Sequence, residues 1–205
     1  MKKLVYSIGV IGPQGSGKTY LVSEWAKAIP RLIVFDPLHS ENTWPGIPVR
    51  WNPREAARQS QGKRWKIHYL PLEIEERKGN VPGLDYMASL AWQRGECTLI
   101  IEEAHIVLSS HTAPPKFMRL VRVGRNHSVS MIWISHRFVG VHPSLRINAS
   151  KLIFFRVTEP LDLQEISKRC GEEVKNRVSR LRRNAEGMAP ERLEFDTGTG
   201  EYKIF

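Results

Sequence analysis

Residues 12–19, Gly12-Pro13-Gln14-Gly15-Ser16-Gly17-Lys18-Thr19, fit the spacing G-x-x-x-x-G-K-[ST] without a mismatch. The chemistry explains the residue types. Glycines let the backbone curl until successive N–H groups point inward and form an anion nest at the start of a helix. A lysine at position 18 reaches the β- and γ-phosphates of a bound nucleotide, and the Thr19 hydroxyl ligates Mg²⁺. Residues 12–19, with Tyr20 following, are therefore the candidate contacts to a triphosphate, and ATP with Mg²⁺ is the expected ligand pair. An ordinary glycine-rich strand-to-helix turn is the competing reading. The motif sits between an apolar run at 4–11 and a helical stretch from 18 to 28, where phosphate binding requires it.

Holding a phosphate chain is not yet hydrolysis. Thr98-Leu99-Ile100-Ile101-Glu102-Glu103 is a short strand-like run closed by two carboxylates. At the carboxyl end of a parallel strand both emerge at the edge where ligands bind. Glu102 is the expected Mg²⁺ partner, through water, and Glu103 the expected base for the attacking water. Read alone, the pair is a solvated acidic turn. His105, just beyond it, is expected to cap a helix or pack locally, since no second ligand at suitable spacing makes it a metal site.

The next strand, 129–135, ends in Ser135-His136-Arg137. If it adjoins the Glu102 strand, His136 faces the γ-phosphate; otherwise it is a surface histidine. Lys116, Arg119, Arg122 and Arg125 recur at steps of three, which keeps them on one broad helical face. Phosphoryl transfer often borrows an arginine from a neighbouring subunit, and Arg122 or Arg125 is placed for that part; a solvated cationic face competes.

These residues need a scaffold that presents strand ends on one edge. Apolar strands at 4–11, 31–35, 65–70, 98–101, 129–135 and 151–157 alternate with helical stretches at 18–28, 86–94 and 115–123. That alternation predicts an α/β fold, a mostly parallel sheet covered on both faces. The stretch 38–63, rich in Pro, Trp and Arg, reads as irregular. The tail reads as two polar helices, 161–170 and 172–183, and then a hairpin pairing 193–195 with 202–204. No repeat or low-complexity linker interrupts the chain, so one domain over 1–205 is expected, with a core at 4–157 and a helical and hairpin tail at 158–205.

The chain has 205 residues, with 31 Lys and Arg against 21 Asp and Glu, a net charge of +10. This excess favours a polyanionic partner or is spread for solubility. Cys97 and Cys170 belong to no CxxC pair, so neither a zinc site nor a disulfide framework is indicated and a reducing setting is expected. The start, Met1-Lys2-Lys3 before an apolar run, superficially matches a signal peptide, but the phosphate-loop motif cuts that run. No stretch approaches the ~20 apolar residues of a membrane span, so no stable membrane insertion is expected.

Three segments together, GPQGSGKT after the first strand, LIIEEAH at 99–105 and VRVGRNHSVSMIWISHRF at 121–138, resemble the FtsK/HerA superfamily of DNA-translocating ATPases. The likeness is greatest to genome-packaging ATPases of tailless, membrane-containing viruses, above all those of turreted icosahedral archaeal viruses. It covers most of residues 4–157; the tail from Pro160 carries no such motif. The resemblance implies a P-loop core of the additional-strand, catalytic-glutamate type, with the glutamate strand beside the phosphate-loop strand. It implies a homo-oligomeric ring, hexameric, that drives double-stranded DNA into a preformed capsid, in the host cytoplasm or associated with the virion. The capsid or its membrane vertex is then a partner, and arginine fingers act between subunits. The chain departs from the family twice: Glu102 stands where Asp is usual, and His136 where the sensor is usually Gln, which would make turnover pH-dependent.

DNA contact has two candidate surfaces. One is Arg54, Arg58, Lys63, Arg64 and Lys66, interleaved with Trp51 and Trp65, which stack on single strands or, the favoured reading, sit in the core. The other is Arg177, Arg180, Arg182 and Arg183. Two further classes of function use the same phosphate loop: a nucleotide kinase-type phosphotransferase, and a nucleotide-gated assembly protein. A GTPase switch is disfavoured because no N-K-x-D segment occurs.

Overall fold

The computed structural model describes residues 5–39, 41–72, 81–109, 114–185 and 188–205. Residues 1–4, including Leu4 at the head of the first expected strand and the signal-peptide-like Met1-Lys2-Lys3, lie outside this range. The apolar runs become strands of one sheet: β1 (Ser7–Ile11), β2 (Arg31–Phe35), β3 (Val49–Arg50), β4 (Trp65–Tyr69), β5 (Thr98–Ile101), β6 (Ser130–Ser135), β7 (Lys151–Phe154), β8 (Leu193–Asp196) and β9 (Tyr202–Ile204). Their order is β3-β4-β2-β5-β6-β1-β7-β8-β9. From β3 to β7 all neighbours run parallel, while β8 and β9 are antiparallel additions. The helices are α1 (Lys18–Ala28), α2 (Pro53–Gln59), α3 (Val81–Arg94), α4 (Ala104–Val107), α5 (Pro115–Val123), α6 (Pro143–Asn148), α7 (Pro160–Cys170) and α8 (Glu172–Arg180). Among the described residues no helix is long and apolar enough to cross a membrane.

Burial on both faces explains why the strands are apolar throughout instead of alternating. Side chains at successive positions point to opposite faces. Ile33, Phe35, Ile67, Tyr69, Leu99, Ile101 and Trp133 pack on one side under α3 and α5. Val10, Leu32, Val34, Ile100, Ile132 and Ile134 pack on the other against Val22 and Ala26 of α1. The central strands are drawn close. A Cβ at Gly9 of β1 would overlap the Trp133 ring of β6, so glycine is what lets that tryptophan pack against the neighbouring strand.

Two expectations are corrected. The glutamate strand β5 does not lie beside the phosphate-loop strand β1: β6 lies between them, and β5 pairs with β2 and β6. Nor is 38–63 wholly irregular, since it contains β3 and α2. Helix α2 carries a legible start signal: Asn52 accepts from the Arg54 backbone N–H at 2.8 Å, and Pro53 occupies the first turn. The short α6 begins the same way, with His142 Nδ1 accepting from the Ser144 N–H ahead of Pro143.

Gly9→Ala is expected to lower stability by about 1–3 kcal/mol, the usual cost of overpacking a tight core. A urea midpoint indistinguishable from that of the parent protein contradicts this reading of the β1–β6 contact.

Candidate active site

The parallel strands all present their carboxyl ends on one edge, and the loop leaves β1 there. The Gly12 N–H donates to the Ser135 carbonyl at 3.2 Å, and the Ser16 N–H to the Pro13 carbonyl at 3.3 Å. Gly15 and Gly17 adopt φ of 73° and 92°, where a side chain is strained. A Cβ at Gly12 would come within 2.7 Å of Phe155 Cβ and 2.9 Å of Ser16 Oγ, so this position too has room only for glycine. Gly17 is the N-cap of α1, and no side chain caps it. The helix therefore begins with its N–H groups directed into the loop, the arrangement that receives an anion.

Lys18 is 4% exposed. Its Nζ donates to the Pro13 carbonyl at 2.8 Å and to His136 Nδ1 at 3.2 Å. Thr19 Oγ1 lies 3.5 Å from Glu102 Oε2. Tyr20 follows Thr19 in the first turn of α1 and stands with 72% of its surface exposed.

Both glutamates are buried, so they do not form a solvated turn. Glu103 takes φ of 43°, an uncommon value for a residue with a side chain, and it opens the single turn of α4. His136 follows β6, which does adjoin β5, and its Nε2 lies 2.5 Å from Glu103 Oε1. Burial, then the charges of Lys18 and His105, hold His136 down to about 4. A neutral ring fixes the roles: Nδ1 accepts from the Lys18 ammonium and Nε2–H donates to Glu103. His105 packs locally, with Nδ1 3.2 Å from Ser135 Oγ and 3.4 Å from Glu103 Oε2. Ser135 Oγ donates to the Arg137 carbonyl at 2.7 Å, so His105 Nδ1–H is the donor to Ser135.

The electrostatics follow from crowding of like charge in a dry edge. Burial, with the charges of Asp36 and Glu103, pushes the Glu102 carboxyl up to about 8. Glu103 is raised by burial, opposed by Lys18 and by its hydrogen bond from the His136 backbone. Lys18 is lowered to about 8, burial outweighing the pull of Glu103 and Glu102. Glu102 Oε1 is buried and has no hydrogen-bond partner. Among the described residues no group of three His, Cys, Asp or Glu is arranged to hold a metal by itself. A hydroxyl with one inward carboxylate is instead the donor set that suits Mg²⁺, which keeps several waters and takes its other oxygens from substrate phosphates.

Beside the loop lies a cavity of about 640 Å³, lined by Pro13, Gln14, Gly15, Ser16, His136, Arg137, residues 155–159, Asp162, and by Arg182, Arg183, Asn184 and Pro190 from the tail. Asn184 Nδ2 donates to the Gly15 carbonyl at 3.2 Å. The tail, which carries no motif, thus closes one side of the site. Arg182 and Arg183 border this cavity, and Arg182 is paired with Glu191, a placement unlike the free DNA-facing patch expected of them. Asp162, 1% exposed, fixes the segment after β6: it accepts from Arg137 Nε and from the Val139 N–H, each at 2.8 Å. Sequence reasoning missed Asp162, Ser135 and Asp36. For Asp36 a signal existed, since it ends β2 at the same edge as Glu102.

Other expected residues lie elsewhere. Arg122 is exposed in the last turn of α5, and Arg125 is exposed in the turn Gly124–His127, which leads into the amino end of β6, away from the loop. Neither reaches its own chain's site. Lys66 is not free for DNA: its Nζ donates to the Ala26 and Lys27 carbonyls, closing the carboxyl end of α1. Trp65 is buried under Arg31, as favoured, whereas Trp51 is 39% exposed with His39 edge-on, which corrects its assignment to the core.

No protein-family model matches the chain, and no curated protein matches it. Solved structures do. The genome packaging NTPase B204 from Sulfolobus turreted icosahedral virus 2, in complex with ATP-gammaS, superposes with a TM-score of 0.76 at 18% identity, over 98% of this chain and 96% of that one. B204, the DNA-packaging ATPase from Sulfolobus turreted icosahedral virus, gives 0.74 at 21% identity, over 96% and 95%. The N-terminal domain of zonular occludens toxin from Neisseria meningitidis gives 0.52 at 15%, over 98% and 94%. At these identities the likeness shows the fold. The resemblance read from the three motif segments is met there: the chain has the fold of the viral packaging ATPases.

The raised Glu102 carboxyl has a measurable sign. Between about 4.5 and about 8 the unfolded chain has lost this proton and the folded chain keeps it, so its contribution to stability falls as pH rises through that window. Without nucleotide or divalent cation, Glu102→Gln is expected to gain stability relative to the parent as pH rises from 5 to 8 (roughly the span of that window), with no further gain above. A pH-independent difference in urea midpoints contradicts a protonated, buried Glu102.

Proposed function

We propose that the chain is an Mg²⁺-dependent ATPase, one domain acting in a homo-oligomeric ring, that translocates double-stranded DNA into a viral capsid. The observation that carries hydrolysis is the connected path Lys18–His136–Glu103 at the loop's mouth, with Thr19 and Glu102 alongside. A plain phosphate-binding turn has no use for a buried carboxylate held in left-handed backbone and hydrogen-bonded to the residue that contacts the loop lysine.

In this reading the loop N–H groups and Lys18 hold the β- and γ-phosphates, Lys18 exchanging the Pro13 carbonyl and His136 for phosphate oxygens. The base and ribose lie in the cavity bordered by Arg182, Arg183, Asn184 and Pro190. Thr19 and Glu102 hold Mg²⁺, which supplies neutralisation of the phosphate charge. Glu103, its carboxyl raised by burial and so a stronger base, takes the proton of the attacking water. His136 orients that carboxylate and senses the γ-phosphate through its link to Lys18. Arg122 or Arg125, solvent-facing on one copy, serves the site of its neighbour. Support for DNA is the net charge of +10 together with exposed Arg54, Arg58, Lys63, Arg64, Arg177 and Arg180. The fold shared with packaging ATPases supports the capsid or its membrane vertex as the docking partner, in the host cytoplasm.

The deciding experiment is phosphate release with and without duplex DNA, run beside a screen of nucleoside acceptors. Stimulation by DNA with no phosphorylated acceptor is expected; a phosphorylated acceptor makes the protein a kinase instead. Glu103→Gln is expected to bind ATP near normally and lose about 10²–10⁴-fold in hydrolysis, the usual loss of a general base. Near-normal turnover removes Glu103 from that role.

A ring with shared sites adds a complementation test. Whichever of Arg122→Ala and Arg125→Ala removes the arginine that serves the neighbour is inactive alone and regains partial activity when mixed with a Lys18→Ala subunit. Failure of both mixtures counts against an arginine supplied between copies.

A further inference from the structure

Four arginines border the cavity beside the phosphate loop: Arg137, Arg156, Arg182 and Arg183. Three of them have their donors met. Arg137 gives its Nε–H to Asp162 at 2.8 Å and lies 3.8 Å from Glu159. Arg182 gives its Nε–H to the Ala189 carbonyl at 3.2 Å and lies 3.5 Å from Glu191. Arg183 is exposed, so water satisfies it. Arg156 differs. It is half-buried, its Nε is shut off from water without a hydrogen-bond partner, and among the described residues its guanidinium forms no ion pair.

Its place in the fold is fixed from two sides. Arg156 stands two residues past β7, the neighbour of β1 on the side away from β6. Phe155, just before it, donates its N–H to the Ile11 carbonyl at 2.8 Å and packs its side chain against Gly12. A Cβ at Gly17 would stand 3.8 Å from the same ring, so Phe155 underlies both ends of the phosphate loop. Lys18, His136 and the two glutamates gather on the other side of β1, toward β6 and β5. A triphosphate with its γ end among those groups has its α-phosphate and nucleoside directed toward β7, into the cavity that Arg156 lines.

Resting on the ATPase reading, we propose that Arg156 binds the α-phosphate of the nucleotide held by its own chain. The guanidinium is always charged, carries only donors, and matches phosphate oxygens two at a time. At the nucleoside end of the ligand the α-phosphate is the one anionic group. The nearest carboxylates cannot take this part: Asp162 and Glu159 already face Arg137. A leucine or methionine of similar reach lines a wall without burying a donor, and a buried N–H left unmet is uncommon and unfavourable. Turning the Arg156 guanidinium toward a phosphate breaks no hydrogen bond or ion pair of its side chain and releases the Nε–H from its dry position. This separates Arg156 from Arg122 and Arg125, which do not reach their own chain's site.

The test is calorimetric titration of the full chain with AMP, ADP and a non-hydrolysable ATP analogue, which share only the nucleoside and the α-phosphate. Arg156→Gln is expected to weaken all three by a similar factor, roughly 10–100-fold, as for loss of a charged hydrogen bond. Arg156→Lys, which keeps the charge without the two-pronged geometry, recovers part of that loss. Without nucleotide, the urea midpoint of Arg156→Gln is expected to equal or exceed that of the parent, since no side-chain bond within the protein is removed. AMP and ADP affinities within about twofold of the parent overturn the assignment. A loss confined to the ATP analogue overturns it too, because it places Arg156 at the γ-phosphate. So does a lowered urea midpoint without nucleotide, which marks a merely structural residue. A parent protein that binds none of the three ligands overturns the ATPase reading itself, a separate result.

Discussion

One buried ammonium, that of Lys18, faces two buried carboxyls, Glu102 and Glu103, at the carboxyl edge of the sheet, and Asp36 is buried beside Glu102. Opposite charges at a few ångströms in a low-dielectric site attract strongly, and like charges there repel as strongly. The imbalance is visible in the titration of the groups themselves: Glu102 and Glu103 are pushed up, the lysine is pushed down, and His105 and His136 nearby are pushed down as well. The site is therefore short of positive charge where a divalent cation would sit. Along the glycine loop it instead has backbone N–H groups ready for phosphate. A magnesium–triphosphate pair answers both needs at once.

The rest of the chain holds this arrangement in place. Parallel pairing brings the ends of β1, β2, β5 and β6 to one edge, and the order β2-β5-β6-β1 sets Asp36, Glu102, His136 and the loop side by side. Parallel pairing of β6 with β1, with Trp133 packed against Gly9, ends the two strands together, and His136 just past β6 reaches Lys18. The tail completes the frame. α7 sends Asp162 to fix Arg137 and Val139 just after His136, and Asn184 ties the later tail to Gly15 of the loop. A shift of the loop or of His136 on nucleotide binding is thus mechanically connected to α7 through Asp162 and to the later tail through Asn184.

Much of this was legible because two periodicities and one fixed spacing survive in the sequence. The phosphate loop, β2, β5, β6 and α1 could be placed closely from apolar runs and glycine spacing, and the position of His136 next to the glutamates followed once β6 was taken to adjoin β5. What escaped were features decided by tertiary contact. Strand order is not written in the strands, so β6 between β1 and β5 could not be read from them. Asp36 and Asp162 resemble any turn or helix-start aspartate until burial is known. Lys66 and Trp65 looked like part of a basic aromatic surface, yet Lys66 closes the end of α1 and Trp65 is core. Trp51, likewise preceded by an arginine, stays at the surface. The small helices α2 and α6 had their capping residues in plain view, in Asn52-Pro53 and His142-Pro143, but they are too short for periodicity to announce.

The central claim is that the bonds of Lys18 to the Pro13 carbonyl and to His136 are placeholders for phosphate. A crystal structure with Mg²⁺ and a non-hydrolysable ATP analogue tests it most directly. The account predicts Lys18 Nζ on β- and γ-phosphate oxygens, away from both present partners, with Thr19 and Glu102 around the ion and Glu103 facing the γ-phosphate. A bound analogue with Lys18 still on Pro13 and His136, or with Glu103 turned away from the γ-phosphate, would contradict it.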